Sequence, residues 1–247
     1  MQIIVAETFD LASDIVAGRI AELVRTKPNA KLGLATGSTP EGVYASLAEM
    51  GRQGLDFSQV TTVNLDEYRG VNGDNQVSYR YFMNEKLFKR ININLENTYV
   101  PSGVNDLEQE LALFKEKIYA GQIDLQLLGI GPNGHIGFNE PADQLHRSAH
   151  VEKLTSSTIA ANARFFKNEA EVPTEALTMG MGDILSAAAI ILLAGGAGKA
   201  EAIKALILDE YITTRVPATF IKIHPNATVV IDHELAQIVG WGGKSNV

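Results

Sequence analysis

Apolar residues follow two spacings along this chain, and the two spacings alternate. The first apolar run, at residues 3–6, has the length and composition of a buried strand. Helical spacing follows it and ends before Pro28, which cannot continue a helix. The apolar stripe of this helix consists of Leu11, Ile15, Ile20, Leu23 and Val24. The pattern therefore predicts a strand followed by a helix.

The same alternation continues along the rest of the chain. Apolar runs predict further strands at residues 32–35, 60–64, 123–128, 190–193 and 227–231. Three sets of residues indicate helices between them: Val43, Leu47 and Met50; Leu107, Leu111, Phe114 and Ile118; Ile203, Leu206 and Ile207. We predict Asn105 as the N-cap of the second of these helices, with Glu108 as its partner. Alternating strands and helices predict an α/β fold whose mainly parallel sheet has helices on both faces.

Composition and charge narrow the classes of function. Hydrophobic residues make up 45% of the 247 residues and no shift in composition marks a linker, which predicts one domain over residues 1–247. The net charge of -8 argues against nucleic-acid and anionic-membrane partners. Residues 1–5 resemble a strand more than a signal peptide, and the apolar run 187–198 is too short to span a bilayer. Since cysteine is absent, thiol chemistry is excluded and a cytoplasmic location is predicted.

A glycine-rich loop at residues 129–141 follows the 123–128 strand. Open α/β sheets bind ligands at the carboxyl ends of their strands, which is where this loop is expected. His135 can take and return a proton near neutral pH, and Glu140 could hold its tautomer. The alternative is a turn in which both side chains are only solvated. The combination of residues favours a site.

The segment Thr36-Gly37-Ser38-Thr39-Pro40 joins a predicted strand to a predicted helix. Its hydroxyls and backbone N–H groups could hold a phosphate at the helix N-terminus, with Pro40 in the first turn. A plain N-capping turn is the alternative interpretation.

Two adjacent acids, Asp66 and Glu67, follow the 60–64 strand. Since neighbouring side chains point in different directions, we expect one acid to act on a substrate and the other to support the structure. The alternative is a solvated acidic turn. A carboxylate with an ordinary pKa of about 4 would be ionised at neutral pH without special tuning.

Two cations could complete a phosphate site. Lys199 follows a glycine turn that resembles an ATP-binding phosphate loop only loosely, because Leu193 and Ala200 replace motif residues. ATP binding is therefore excluded. Arg164 lies beside Phe165, where an arginine usually covers apolar neighbours with its stem. With a phosphate loop nearby, it could instead clamp a phosphate.

The other histidines do not indicate a metal site. His146, His150 and His224 have no HExxH or other metal-ligand spacing. We expect them to be structural or surface residues, and we predict no metal.

Four segments together resemble the signatures of the glucosamine-6-phosphate deaminase family. They occur in the family's order and at similar spacing, and the similarity extends over nearly the whole chain. The segments are residues 34–40 (LATGSTP), 64–68 (NLDEY), 131–141 (GPNGHIGFNEP) and 163–166 (ARFF). The resemblance implies a Rossmann-like, three-layer fold shared with 6-phosphogluconolactonase.

The resemblance also implies an activity, without an organic cofactor. Members convert D-glucosamine 6-phosphate and water into D-fructose 6-phosphate and ammonia in amino-sugar breakdown. His135, assisted by Glu140 and Asn133, would open the sugar ring, and Asp66 would move a proton from C2 to C1. The phosphate of this small-molecule partner would be bound by a further set of residues: Thr36, Gly37, Ser38, Thr39, Arg164 and Lys199.

Two departures from the family pattern affect this expectation. Some members have aspartate where this chain has Asn133, which can orient a partner but cannot titrate. The basic effector pocket of the allosteric hexameric members is replaced by residues 146–153, which include Glu152, and the sequence ends soon after Trp241. We therefore expect a monomer or small homo-oligomer without activation by N-acetylglucosamine 6-phosphate.

Two other functions compete with this interpretation. A 6-phosphogluconolactonase would use the histidine loop but would not need Asp66 as a C2 base. A sugar-phosphate sensor of the bacterial repressor type should bring a helix-turn-helix segment and a basic surface, and the sequence indicates neither.

Overall fold

The computed structural model describes residues 1–242, and within them the main sheet has seven parallel strands. The strands are β1 (Gln2–Ala6), β2 (Lys31–Leu34), β3 (Thr61–Asn64), β5 (Thr98–Tyr99), β6 (Leu125–Leu128), β9 (Ile190–Ala194) and β10 (Ala227–Asp232). Their spatial order is β1-β10-β9-β6-β2-β3-β5. The predicted parallel sheet is confirmed.

Helices connect these strands and cover both faces of the sheet. They are α1 (Phe9–Thr26), α2 (Glu41–Arg52), α3 (Tyr79–Lys86), α4 (Leu107–Tyr119), α5 (Ser156–Asn162), α6 (Met181–Leu185), α7 (Ala200–Ile207) and α8 (His233–Val239). One hydrophobic core lies under α1, α2 and α3, and the other under α4, α6, α7 and α8. Along β10, Val229 and Ile231 enter one core and Val230 enters the other, as the alternation of strand side chains requires.

A second sheet was not predicted from the sequence. It has three antiparallel strands in the order β4-β8-β7, formed by β4 (Asp66–Tyr68), β8 (Glu175–Thr178) and β7 (His150–Lys153). The register places Asp66 opposite Thr178, and Thr178 opposite His150 on its other side. This sheet therefore fixes the backbone at Asp66.

Local details differ from the sequence expectation in two helices. Asp106, and not Asn105, caps α4, because its side chain accepts from the backbone N–H of Gln109. Asn105 instead donates to Glu110, which is buried. In α1, Leu11 is exposed, and small residues such as Ala12 and Ala17 share the buried face with Val16 and Ile20. A predicted stripe built from large residues alone missed these alanines.

The last residues of the predicted domain, 243–247, lie outside the described residues. Among residues 1–242, no helix is both long and apolar enough to cross a membrane.

Candidate active site

A cavity of about 950 Å³ lies at the carboxyl ends of the parallel strands. The strand order runs outward in opposite directions from the neighbours β2 and β6, so the loops after these strands flank the topological switch point. Eight of the predicted site residues line the cavity: Thr36, Gly37, Ser38, Thr39, Asp66, His135, Arg164 and Lys199. The other two, Asn133 and Glu140, contact His135.

The loop after β2 forms one wall of the cavity. Gly37 has a φ of +88°, which a residue with a side chain rarely adopts, and this turn brings Ser38 and Thr39 to the start of α2. The Arg164 guanidinium reaches this loop from another segment, with Nη2 donating to Ser38 Oγ at 3.3 Å. Arg164 also lies over the Phe165 ring, 4.6 Å from its centroid. The predicted phosphate loop after β2 and Arg164 are therefore in contact.

Lys199 brings a second cation into the cavity. It ends a short 3-10 turn (Ala197–Lys199) between β9 and α7. Burial, and then the charge of Arg164, lowers the pKa of Lys199 to about 8. A bound anion would relieve this repulsion and favour the ammonium form. The arrangement of the loop, Arg164 and Lys199 suits a phosphate group.

Asp66 lies at the end of the short connection from β3 and is only 6% exposed. Burial, and then the charge of Glu67, raises the pKa of the Asp66 carboxyl to about 8. The expectation that this carboxyl keeps an ordinary pKa and is ionised at neutral pH without special tuning is therefore wrong. Burial removes the carboxyl from water and disfavours its charged form, and the sequence alone does not reveal this burial.

Glu67 has the structural role expected of one of the two acids. Its carboxylate accepts hydrogen bonds from Ser78 Oγ at 2.6 Å and from the backbone N–H groups of Tyr79 and Arg80 at 3.1 Å. Ser78 is the N-cap of α3, so Glu67 satisfies donors that the first turn leaves free. Asp66, in contrast, lines the cavity.

His135 is placed by the loop after β6. Its backbone N–H donates to Asn133 Oδ1 at 3.2 Å, and its Nδ1 lies 3.4 Å from Glu140 Oε2. That second distance is long for a hydrogen bond, and it places the Glu140 carboxylate beside the imidazole. Catalytic hydrogen bonds often shorten when substrate binds.

Glu140 is held by contacts to both carboxylate oxygens. Asn133 Nδ2 donates to Oε2 at 2.8 Å, and Thr158 Oγ1 donates to Oε1. Burial raises the pKa of Glu140, but His135, Thr158 and Asn133 outweigh it and lower the pKa to about 2. Glu140 is therefore a fixed negative charge beside His135 and not a proton carrier.

Glycines leave room for the imidazole in this loop. A Cβ on Gly131 would lie 2.3 Å from His135 Cε1, closer than atoms can pack. Gly134 has a φ of +84°, and a Cβ there would lie 2.5 Å from a methyl of Val216. Asn139 anchors the end of the loop by donating to Met179 O at 2.8 Å.

Sequence reasoning missed the contribution of α5 and β4. Thr158 and Asn162 on α5 line the cavity, and Asn162 Nδ2 donates to Tyr68 OH at 2.8 Å. The only sequence signal was Thr155, whose side chain caps α5 by accepting from the N–H of Thr158. A short helix of small polar residues has no apolar stripe, and so periodicity does not reveal it.

Two of the histidines outside the cavity, His146 and His150, lie close to each other and to an acid. The rings of His146 and His150 stack with centroids 4.0 Å apart, and His150 Nε2 lies 3.0 Å from Glu152 Oε2. Potential ligand atoms of these three residues lie within 4.8 Å of one another, a convergence that their sequence spacing did not indicate. His224 is buried and its Nε2 contacts Ala187 O at 2.9 Å, so it is structural as expected.

An anion pocket beside a histidine and a buried carboxyl, all at a sheet switch point, is an arrangement typical of α/β enzymes of small phosphorylated metabolites. A family model described as glucosamine-6-phosphate isomerases/6-phosphogluconolactonase matches residues 6–230. The chain belongs to this family.

Two relatives with about half of their residues identical to this chain share one name. Glucosamine-6-phosphate deaminase of Clostridium beijerinckii is 51% identical over 242 residues, which cover 97% of this chain and 100% of that protein. The deaminase of Thermoanaerobacter pseudethanolicus is 49% identical, covering 97% of this chain and 95% of that one. A solved structure of a monomeric glucosamine-6-phosphate deaminase superposes with a TM-score of 0.93 at 42% identity, covering 96% and 100% of the two chains.

Lactonases share the fold at much lower identity. The structure of 6-phosphogluconolactonase from Trypanosoma brucei has a TM-score of 0.73 and 18% identity, covering 96% of this chain and 97% of that one. At that identity the likeness shows the fold alone. The three-layer architecture implied by the sequence resemblance is confirmed.

Proposed function

We propose that this chain is a glucosamine-6-phosphate deaminase, which converts D-glucosamine 6-phosphate and water into D-fructose 6-phosphate and ammonia in amino-sugar breakdown. The observation that carries the proposal is one cavity lined by a buried carboxyl, a histidine, a loop with hydroxyl side chains and two cations. The identity of 46–51% to proteins that bear this name supports it.

Ring opening is the first chemical step. His135 takes the proton of the anomeric hydroxyl and returns a proton to the ring oxygen, which breaks the bond between C1 and that oxygen. Glu140, ionised and fixed, stabilises the imidazolium that forms between the two transfers. Asn133 donates to Glu140 and accepts from the backbone N–H of His135. Because its amide does not titrate, its role is to hold these two residues and not to carry a proton.

Asp66 carries the second step. Its carboxylate removes the proton from C2 of the open-chain aldehyde and delivers a proton to C1, so that an enolamine becomes a C2 imine. Water then adds to C2 and ammonia leaves, which gives the ketone of fructose 6-phosphate. The protonated amine of the incoming substrate places a positive charge near Asp66 and favours its ionised form.

The remaining groups hold the substrate. Thr36, Gly37, Ser38 and Thr39, together with Arg164 and Lys199, bind the phosphate and keep C1 and C2 in register with the two proton carriers. Each step is a proton transfer or the addition of water, so an organic cofactor is not required. We place the reaction in the cytoplasm, because a chain without cysteine forms no disulfide bonds and does not need an oxidising compartment.

A pair of assays tests the proposal. The purified chain is incubated with glucosamine 6-phosphate, and ammonia and fructose 6-phosphate are measured together by coupled reactions. A parallel assay follows hydrolysis of 6-phosphogluconolactone, and a third uses unphosphorylated glucosamine. We expect equal release of ammonia and fructose 6-phosphate, no lactone hydrolysis above background and very poor use of glucosamine. Lactone hydrolysis without ammonia release would overturn the proposal.

A further inference from the structure

Residues 158–164, which include the end of α5 and the 3-10 turn Ala163–Phe165, contact three parts of the active site. Thr158 donates to Glu140, and Asn162 donates to Tyr68 OH at 2.8 Å. Arg164 donates to Ser38 of the loop after β2 at 3.3 Å. One short segment therefore joins the histidine–carboxylate pair, the strand that begins with Asp66, and the phosphate loop.

Thr158 is buried and its position is fixed by the helix cap. It is 3% exposed, and its backbone N–H donates to Thr155 Oγ1 at 3.3 Å. Its own hydroxyl points to Glu140 Oε1. Thr155 Oγ1 lies 3.3 Å from the same oxygen, a longer contact. Thr158 is thus the principal donor to this side of the carboxylate.

The contact at Oε1 controls the placement of Oε2. Asn133 and His135 both approach Oε2, and the distance to His135 Nδ1 is already 3.4 Å. Without the Thr158 hydroxyl, Oε1 would keep only the longer contact from Thr155, and the carboxylate could turn about its terminal bond, which has broad rotational preferences. Even a small turn would move Oε2 out of reach of the imidazole.

We propose that Thr158 is a positioning residue for the reaction: its hydroxyl holds Glu140 in the orientation in which that carboxylate supports His135. The inference rests on the proposed function, because the orientation matters only if His135 transfers protons. Since Arg164 lies on the same segment, contact with the substrate phosphate also stabilises the placement of Thr158. The phosphate then contributes to turnover as well as to binding.

Three variants test this role. Thr158→Val keeps the shape but removes the hydroxyl, Thr158→Ser keeps the hydroxyl, and Thr174→Val makes the same change at an exposed position. We expect Thr158→Val to lower kcat about tenfold or more, with KM changed less than about twofold. Thr158→Ser should recover most of the lost kcat, and Thr174→Val should match the wild type.

A second readout separates positioning from simple loss of structure. In ¹³C spectra of carboxyl-labelled protein, we expect the Glu140 titration midpoint to rise in Thr158→Val and to return toward the wild-type value in Thr158→Ser. Titration of active sites in each preparation gives kcat per folded molecule. If Thr158→Val does not fold, Thr158→Ala takes its place.

The inference fails if Thr158→Val or Thr158→Ala keeps the wild-type kcat per folded molecule, or if serine restores neither kcat nor the midpoint. These outcomes are distinct from failure of the proposed function, in which the wild-type chain itself would release no ammonia.

Discussion

Burial and the neighbouring Glu67 raise the pKa of the Asp66 carboxyl to about 8, above neutral pH. A general base must release its proton before it can act. The protonated amine of the substrate supplies the opposite charge that makes release favourable. In the proposed reaction, substrate binding therefore also favours loss of the proton that Asp66 must release.

Asp66→Asn should abolish deamination and leave substrate binding nearly intact, because asparagine keeps the shape but cannot accept the C2 proton. A general base typically contributes about 10²–10⁴-fold to the rate. Exchange of the C2 hydrogen in deuterated water measures the step, and calorimetry measures binding. Turnover near the wild-type rate would refute the role assigned to Asp66.

The same substitution should stabilise the fold above pH 4. Between its ordinary pKa of 3.8 and the raised value of about 8, Asp66 is protonated when folded and ionised when unfolded, so wild-type stability falls as pH rises through this window. Asp66→Asn has no such loss, and we expect a gain of about 2–4 kcal/mol at pH 8 that disappears near pH 4. Urea unfolding at both pH values measures it; a difference that does not vary with pH would contradict the assignment.

Lys199 should take up a proton when a phosphorylated ligand binds near pH 8. Burial and Arg164 lower its pKa to about 8, and a phosphate dianion beside it would raise that value. Fructose 6-phosphate is a suitable ligand because it has no amine. Calorimetry in buffers of different ionisation enthalpy counts the protons. Lys199→Arg is the matched control, since arginine binds phosphate but does not titrate in this range, and an equal uptake in that variant would exclude Lys199 as the source.

At the scale of elements, Glu67 ties β4 to the start of α3. Its carboxylate faces donors only: a hydroxyl from Ser78 and the N–H groups of Tyr68, Tyr79 and Arg80. An amide in its place would turn an NH₂ group toward these donors. β4 is therefore anchored to the start of α3 by a carboxyl group whose two oxygens face only donors.

We expect Glu67→Gln to lower the free energy of unfolding by about 1.5–3 kcal/mol, the usual effect of losing hydrogen bonds to a charged group. Glu85→Gln is the control, because Glu85 lies partly exposed on α3 and pairs with Lys89, a surface ion pair of small effect. Thermal and urea unfolding of both variants make the comparison. Equal losses at the two positions would contradict the anchoring role.

The sequence indicated some elements far better than others. Strands in the main sheet, such as β9 and β10, are continuous apolar runs because both of their faces are buried. The second sheet escaped prediction because β4 has three residues, two of them acidic, and its partner strand β8 is distant along the chain, with Asp66 opposite Thr178. Such pairing is set by tertiary contacts and has no local pattern.

At the scale of the whole molecule, the candidate site follows from topology. The loops after β2, β3, β6 and β9 meet because all four strands run in one direction. Eight of ten predicted site residues could therefore be placed around one cavity from strand ends and motifs. Their pKa values could not be predicted, because burial depends on the folded surroundings, as Asp66 demonstrates.

We expect the protein to be a monomer, or at most a small oligomer, with hyperbolic kinetics and no activation by N-acetylglucosamine 6-phosphate. The residues expected to replace an effector pocket include Glu152, whose Oε2 lies 3.0 Å from His150 Nε2, and this acid disfavours an anionic effector. Allostery needs a second site with different affinities in two states. Light scattering and substrate titrations with and without the effector measure this; a hexamer with an effector-sensitive sigmoidal curve would contradict it.

Gly131 limits how the loop after β6 can be engineered. Any Cβ at this position would occupy space that the His135 ring fills. A library that randomises residues 131–134, selected for growth on an amino sugar as the nitrogen source, has little freedom at its first codon. New substrate preferences are more accessible through the cavity walls contributed by Phe82 and Phe165, where side-chain size can change without displacing the imidazole.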